Sequence, residues 1–308
     1  MDRRDFLKSC LAAGVGFSLA HSPFAKMADA GNAFGGEAAG QIPDIVAVRG
    51  GEPDVMFDRG IAAMGGMGRF VKKGQRVAVK TNASWDVPVD MAGNTNPLLL
   101  KRIVQHCLEA GAREVLLFDH AIEQWQRCYE ASGLNAVVQD TGAKIVPAET
   151  ERHYQRHRIG GKALENALVH QAVLEADVLI SAPVLKHHGG TGMTAGIKNF
   201  MGAVWDRRIY HRNNLSQCIA DFLLVRKPDL TVVDAYRIVT GNGPRTRSAA
   251  DVRLTKMQII STDVVAADAS AARILGKQPE DYEHVRLAHA MGFGQIDPAR
   301  LAIRRITV

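Results

Sequence analysis

Residues 186–202 read K-H-H-G-G-T-G-M-T-A-G-I-K-N-F-M-G and hold the densest set of reactive groups in the chain. His187 and His188 can donate, accept or bind a metal near neutral pH. Lys186 and Lys198 add cations, and Asn199 adds a neutral donor and acceptor. Gly189, Gly190, Gly192 and Gly196 fall between His188 and Lys198, and glycine lets backbone amides approach a ligand closely. Thr191 or Thr194 is placed to cap a helix that starts here. A glycine-rich turn into a helix start is a ready anion site, though the G-K-[ST] ending of a Walker A loop is absent. The chemistry implied is capture of a small anion by Lys198, Asn199 and the amides of 192–196, with His188 as general acid or base. A lysine buried beside other cations loses its proton readily and gains nucleophilic or Schiff-base reactivity. The bland alternative is a flexible loop with accidental histidines.

Other polar groups follow the ends of expected strands. Thr81 and Asn82 follow 76–80, Asp119 and His120 follow 115–118, Lys186–His188 follow 178–181, and Asp234 follows 230–233. Open α/β sheets bind ligands outside the carboxyl ends of their strands, so these tips are expected to share one rim. Short polar residues that merely start turns are the alternative. The expected catalytic groups are therefore His188, Lys198 and Asp119. Thr81, Asn82, Lys186, Thr191, Gly192, Thr194, Gly196, Asn199 and Asp234 are expected to bind the ligand or a cofactor. His187, His188 and His211 are the expected metal ligands. The cofactor itself is open, a metal ion or a metal-organic group. Asp263 is placed to cap a helix over 264–275, and Asp268 reads equally as surface charge or as catalytic.

The elements that must position these groups alternate. Strands are expected at 45–48, 76–80, 115–118, 144–146, 178–181, 230–233 and 257–261. Helices are expected at 53–64, from Asn96-Pro97 to Gly111, and at 124–131, 165–176, 216–226 and 264–275. Strand–helix alternation predicts an α/β fold, a mainly parallel sheet with helices on both faces. Two α/β lobes are an alternative arrangement, a ligand-site domain over 42–215 and a second lobe over 216–308.

Composition agrees with a folded chain. Of 308 residues, 46% are apolar and 23% charged, which excludes disordered, collagen-like and disulfide-scaffold classes. The net charge of +6 is scattered rather than gathered in a stripe, so a nucleic-acid partner is not expected and a small anionic ligand is. The amino terminus has a different logic. Arg3-Arg4 with Phe6, Leu7 and Lys8, an apolar stretch and then Ala28-Asp29-Ala30 resemble a twin-arginine export signal. Residues 1–30 are expected to be removed, with 31–41 a Gly/Ala-rich linker. That places the protein in the periplasm, with the twin-arginine translocation machinery as a partner and no membrane span after cleavage. Cys10 lies in the signal. Cys107, Cys128 and Cys218 remain, too few for a four-thiolate cluster but enough for one disulfide.

Several stretches carry a family resemblance: V-A-V-K-T-N at 77–82, A-P-V-L-K-H-H at 182–188, G-M-T-A-G-I-K-N-F-M-G at 192–202, D-A-Y-R-I-V-T-G-N-G-P at 234–244 and S-T-D-V-V-A-A-D at 261–268. In order and spacing they resemble the domain-of-unknown-function family three-six-two, over roughly residues 42–306. Many members carry ferredoxin-type cysteine modules, absent here. The resemblance therefore implies an iron–sulphur protein as a partner rather than an intrinsic iron–sulphur cluster. Members usually place a glutamate before the G-x-G-P turn, where this chain has Thr240. His188 and Lys198, ten residues apart across the glycine turn, are also similar to a segment of the nickel-pincer lactate racemase family. There the histidine moves a proton and the lysine holds the cofactor covalently, which implies a metal-organic cofactor near Lys198. Three functions remain open: an enzyme acting on a small anion, a redox or cofactor-handling accessory to an iron–sulphur partner, and a periplasmic anion-binding module.

Overall fold

Strands β1 (Ile45–Arg49) and β2 (Arg76–Lys80) open the chain order, in a computed structural model that describes residues 42–308. The expected signal, linker and Cys10 lie outside those residues. Next come β3 (Glu114–Phe118), β4 (Lys144–Ile145), β5 (Tyr154–Arg158), β6 (Asn166–His170), β7 (Val178–Ser181) and β8 (Val184–His188). The remaining strands are β9 (Gly192–Thr194), β10 (Leu230–Val239), β11 (Val252–Ser261) and β12 (Ile303–Thr307). The main sheet runs β12-β1-β11-β10-β7-β2-β3-β4, and β8, the continuation of β7, pairs with the far half of β10 and with β9. Along that path β11 alone is antiparallel to its neighbours.

The parallel strands are apolar without alternation because both faces are covered. Val77 and Val79 of β2 pack into one core and Ala78 into another; Leu117 and Phe118 of β3 divide the same way. The first core is closed by helices α1 (Pro53–Ala63), α2 (Pro97–Glu109), α3 (Trp125–Ala131) and α4 (Leu134–Thr141). The second is closed by α5 (Gln171–Glu175), α6 (Gly196–Asn199), α7 (Arg208–Arg212), α8 (Leu215–Asp221), α9 (Val264–Ile274) and α10 (Glu283–Ala290). The α/β fold, mainly parallel with helices on both faces, is thus as expected. Asn96 caps α2 through the Leu98 N–H, with Pro97 at its first turn.

One expectation gives way. The segment 165–176 is not one helix. Its first half is β6, paired antiparallel with β5, and His170 then caps the short α5. Buried Ala167 and Val169 alternate with the less buried Asn166 and Leu168, the period of a strand. The sheet runs on across residue 215, with β10 paired directly to β7. The chain leaves β2 through α2 to β3 on one side, while β7 lies against the other side of β2. That reversal is a topological switch point, where an open sheet presents a crevice at its strand ends.

Candidate functional site

A cleft of about 220 Å³ opens at those strand ends, lined by Asn82, Ser84, Asp119, Lys186, His188, Thr194, Lys198, Asn199 and Gly202. Trp85, Ile122, Met201, Arg207, His211 and Pro244 complete it. β2 supplies its foundation. Lys80, at the last position of β2, is fully buried, and its ammonium donates to Asp119 Oδ1 at 2.7 Å and to the Thr81 carbonyl at 2.6 Å. The other Asp119 oxygen accepts the Ala83 N–H and the Ser84 hydroxyl, each at 2.7 Å. Burial pulls the Lys80 pKa down and Asp119 opposes it. Gly202 packs over this pair so tightly that a Cβ there would run into Asp119 Oδ1 and Lys80 Nζ.

The other cations have no carboxylate of their own. Lys186 Nζ donates to Asn82 Oδ1 at 2.9 Å and to the Gly93 carbonyl at 2.6 Å. Burial, reinforced by the charge of Lys198, brings its pKa down to about 7. Lys198 is held still less firmly. Its Nζ meets the Met201 thioether at 3.7 Å, a weak acceptor. Burial, then Arg207 and Lys80, bring Lys198 down to about 8. Arg207 spends its guanidinium on the carbonyls of His120 and Ala121, each at 2.9 Å. Asp119, already engaged with Lys80, is the one acid among the lining residues.

His188 shares the cleft with Lys198. Burial, then Lys198, lowers its pKa to about 3, so the ring is neutral. Its Nδ1 accepts the Gly190 N–H at 3.0 Å, so the ring proton sits on Nε2 and offers a donor. His187 is turned elsewhere, its Nδ1 accepting the Gly243 N–H at 3.2 Å. His211 reaches the lining from the exposed end of α7. Among the described residues no three His, Cys, Asp or Glu side chains stand together as metal ligands. A floor of lysines with one engaged carboxylate does not fit a bare metal ion. Cys107, Cys128 and Cys218 are buried free thiols, so the disulfide that their number allowed does not form among the described residues.

The helix start expected at the glycine-rich turn is built differently. Helix α6 has four residues, and neither Thr191 nor Thr194 caps it. The Gly196 and Ile197 amides are already taken by Asp268, at 2.6 and 3.1 Å. Asp268 is fully buried, not a surface charge, and burial raises its pKa to about 7. Thr191 donates to the Met193 carbonyl, and Gly192, at φ 75°, lies against the Tyr282 ring. Thr194 does line the cleft, its hydroxyl without a partner among the described residues. Thr81 donates to the Phe118 carbonyl below the cleft. Asp234 accepts the Asn96 and Tyr236 amides and so anchors the start of α2 instead of lining the site. Asp263 caps α9 through the Ala266 N–H as expected.

The family model described as domain of unknown function (DUF362) matches residues 77–273. A thylakoid-associated protein of Synechocystis sp., sll1697, is 27% identical over 224 residues, 70% of this chain and 68% of that protein. Among solved structures, a Thermotoga maritima protein aligns with 73% of this chain and 60% of its own, at 12% identity and TM-score 0.43. Lactate racemase apoprotein from Thermoanaerobacterium thermosaccharolyticum aligns with 80% of this chain and 56% of its own, at 12% identity and TM-score 0.37. This chain thus spans less than two thirds of either solved protein.

Proposed function

We propose that this chain, which belongs to the DUF362 family through residues 77–273, binds a small anion of two or more negative charges in the cleft at its strand ends. One observation carries the reading: Lys186, Lys198 and Arg207 line the cleft while its one acid is already paired with Lys80. Buried charges without counter-ions cost several kcal/mol each. A bound anion supplies the missing charge and raises the lysine pKa values again. Arg207 and the two lysines suit carboxylate or phosphate oxygens, and the His188 Nε2–H adds a neutral donor. Lys198, with its pKa near 8, is the group able to exchange a proton or attack a carbonyl beside that anion. In this reading Asp119 fixes the floor and His188 orients the ligand. The amino-terminal pattern supports a setting outside the cytoplasm. Replacing Arg3 and Arg4 by lysine and fractionating cells tests that setting, and unchanged export would reject it.

Calorimetric titration with pyrophosphate and citrate tests the binding. The wild-type protein binds at least one of them, and Lys198→Gln weakens that binding at least about tenfold, the loss of one charge-assisted contact of about 1.4 kcal/mol. Equal affinity in wild type and Lys198→Gln would reject the reading.

A further inference from the structure

Part of the cleft lining is apolar, and three loops build that part in the same way. Trp85, Ile122 and Pro244 line the cleft, and each is followed at once by a polar residue, Asp86, Glu123 or Arg245. Those three polar residues are clasped together. The Glu123 carboxylate accepts the Asp86 N–H at 2.8 Å and the Arg245 Nε at 2.7 Å. Arg127 closes on the Asp86 carboxylate at 2.6 Å. Asn94 pins Trp85 separately, accepting its N–H at 3.1 Å and donating to its carbonyl at 2.8 Å. The collar backbone is thus held by polar contacts; Trp85 and Pro244 are half-buried and Ile122 remains 51% exposed.

We propose that the ligand of this cleft is an amphiphilic anion: a charged head on the lysine floor joined to a flat apolar or aromatic body gripped by the Trp85, Ile122 and Pro244 collar. This inference rests on the anion reading above and adds the chemistry of the rest of the molecule. An inorganic anion would satisfy Lys186 and Lys198 and leave the clasped collar facing water. A hydrocarbon alone would cover the collar and leave the ammonium groups unmatched. Small-molecule sites combine apolar walls with a few placed polar groups, and this cleft divides those roles between collar and floor. Trp85 and Ile122 then set specificity, with Glu123 as the positioning residue that holds both loops.

Methylphosphonate and benzylphosphonate share a head and differ in body, so their affinities for the full chain at one pH separate the two parts. The wild-type protein binds benzylphosphonate about tenfold or more tighter, a step of about 1.4 kcal/mol. Ile122→Ser, which adds no charge at this half-exposed position, brings benzylphosphonate close to methylphosphonate and leaves methylphosphonate nearly unchanged. Trp85→Ser does the same, and Glu123→Gln narrows the ratio with no change in methylphosphonate binding. Equal affinities in the wild type, or a ratio that survives both collar variants, overturns the proposal while the anion reading stands. A change of molecular mass in Ile122→Ser with the ratio intact overturns it in favour of a contact between copies. Binding of neither phosphonate removes the anion reading and this inference with it.

Discussion

Asp119→Asn probes the foundation of the cleft. In the wild type one carboxylate accepts three close hydrogen bonds, from Lys80 Nζ, the Ala83 N–H and the Ser84 hydroxyl, all at 2.7 Å. Both members of the ion pair have side chains about 1% exposed. Asparagine keeps the shape but carries one acceptor oxygen and one NH₂ group. If its oxygen faces Lys80, its NH₂ confronts the Ala83 N–H. An orphaned buried donor costs about 1–3 kcal/mol, and the Lys80 ammonium is left without a counter-charge. Breaking a buried pair from one side costs about 3–5 kcal/mol in all, a large share of the roughly 5–15 kcal/mol that holds a typical domain. Urea unfolding followed by tryptophan fluorescence, with a shift of midpoint and an unchanged slope, measures it. Adding Lys80→Met to the variant removes the stranded charge, so the double variant is more stable than Asp119→Asn alone. A loss below about 1 kcal/mol, or two losses that simply add, would refute the reasoning.

The pH dependence has two opposite signs. Lys186 and Lys198 stand at about 7 and about 8, below the roughly 10.4 of an unfolded lysine, so the unfolded chain binds more protons between those values. The ligand-free protein therefore gains stability as pH rises from 7 toward 9, while anion binding weakens up to about tenfold per pH unit for each lysine that must be charged. Melting and titration at both pH values check the pair of trends, and a pH-independent affinity would count against them. Gly202→Ala forces its methyl into Asp119 and Lys80 and lowers stability by about 1–3 kcal/mol, with weaker pyrophosphate binding; a variant as stable as wild type would show that the floor can shift freely. Asp268→Ala strips the Gly196 and Ile197 amides of their acceptor, a loss of at least about 1–3 kcal/mol, seen by denaturation.

Much of the fold was legible because parallel strands are continuous apolar runs. The segment V-L-I-S became β7 at the expected bounds. Helix α2 was legible from Asn96-Pro97 and its apolar spacing. The hairpin was not, because Tyr154–Arg158 reads Y-Q-R-H-R, a charged strand whose partner looks helical until the two are paired. In the site, Asn82, Asp119, Lys186, His188, Thr194, Lys198, Asn199 and His211 do meet in one cleft. The Gly-rich turn misled because Asp268, 72 residues away, fills the amides it would have offered; no local pattern announces such a partner. Asp234 misled for the same reason, since its amide partner Asn96 lies 138 residues off. Lys80 went unread although a lysine ending an apolar strand is itself a signal. Arg207 and the collar residues had no periodic signature at all.

If the lysines of the cleft receive an anion, a heavy oxyanion will settle among them. Diffraction from crystals soaked in tungstate locates it by its anomalous signal. A tungstate is expected within hydrogen-bonding distance of Lys186, Lys198 and Arg207, at the strand ends. Tungstate bound only at the outer surface, with water alone between Lys186 and Lys198, would contradict it.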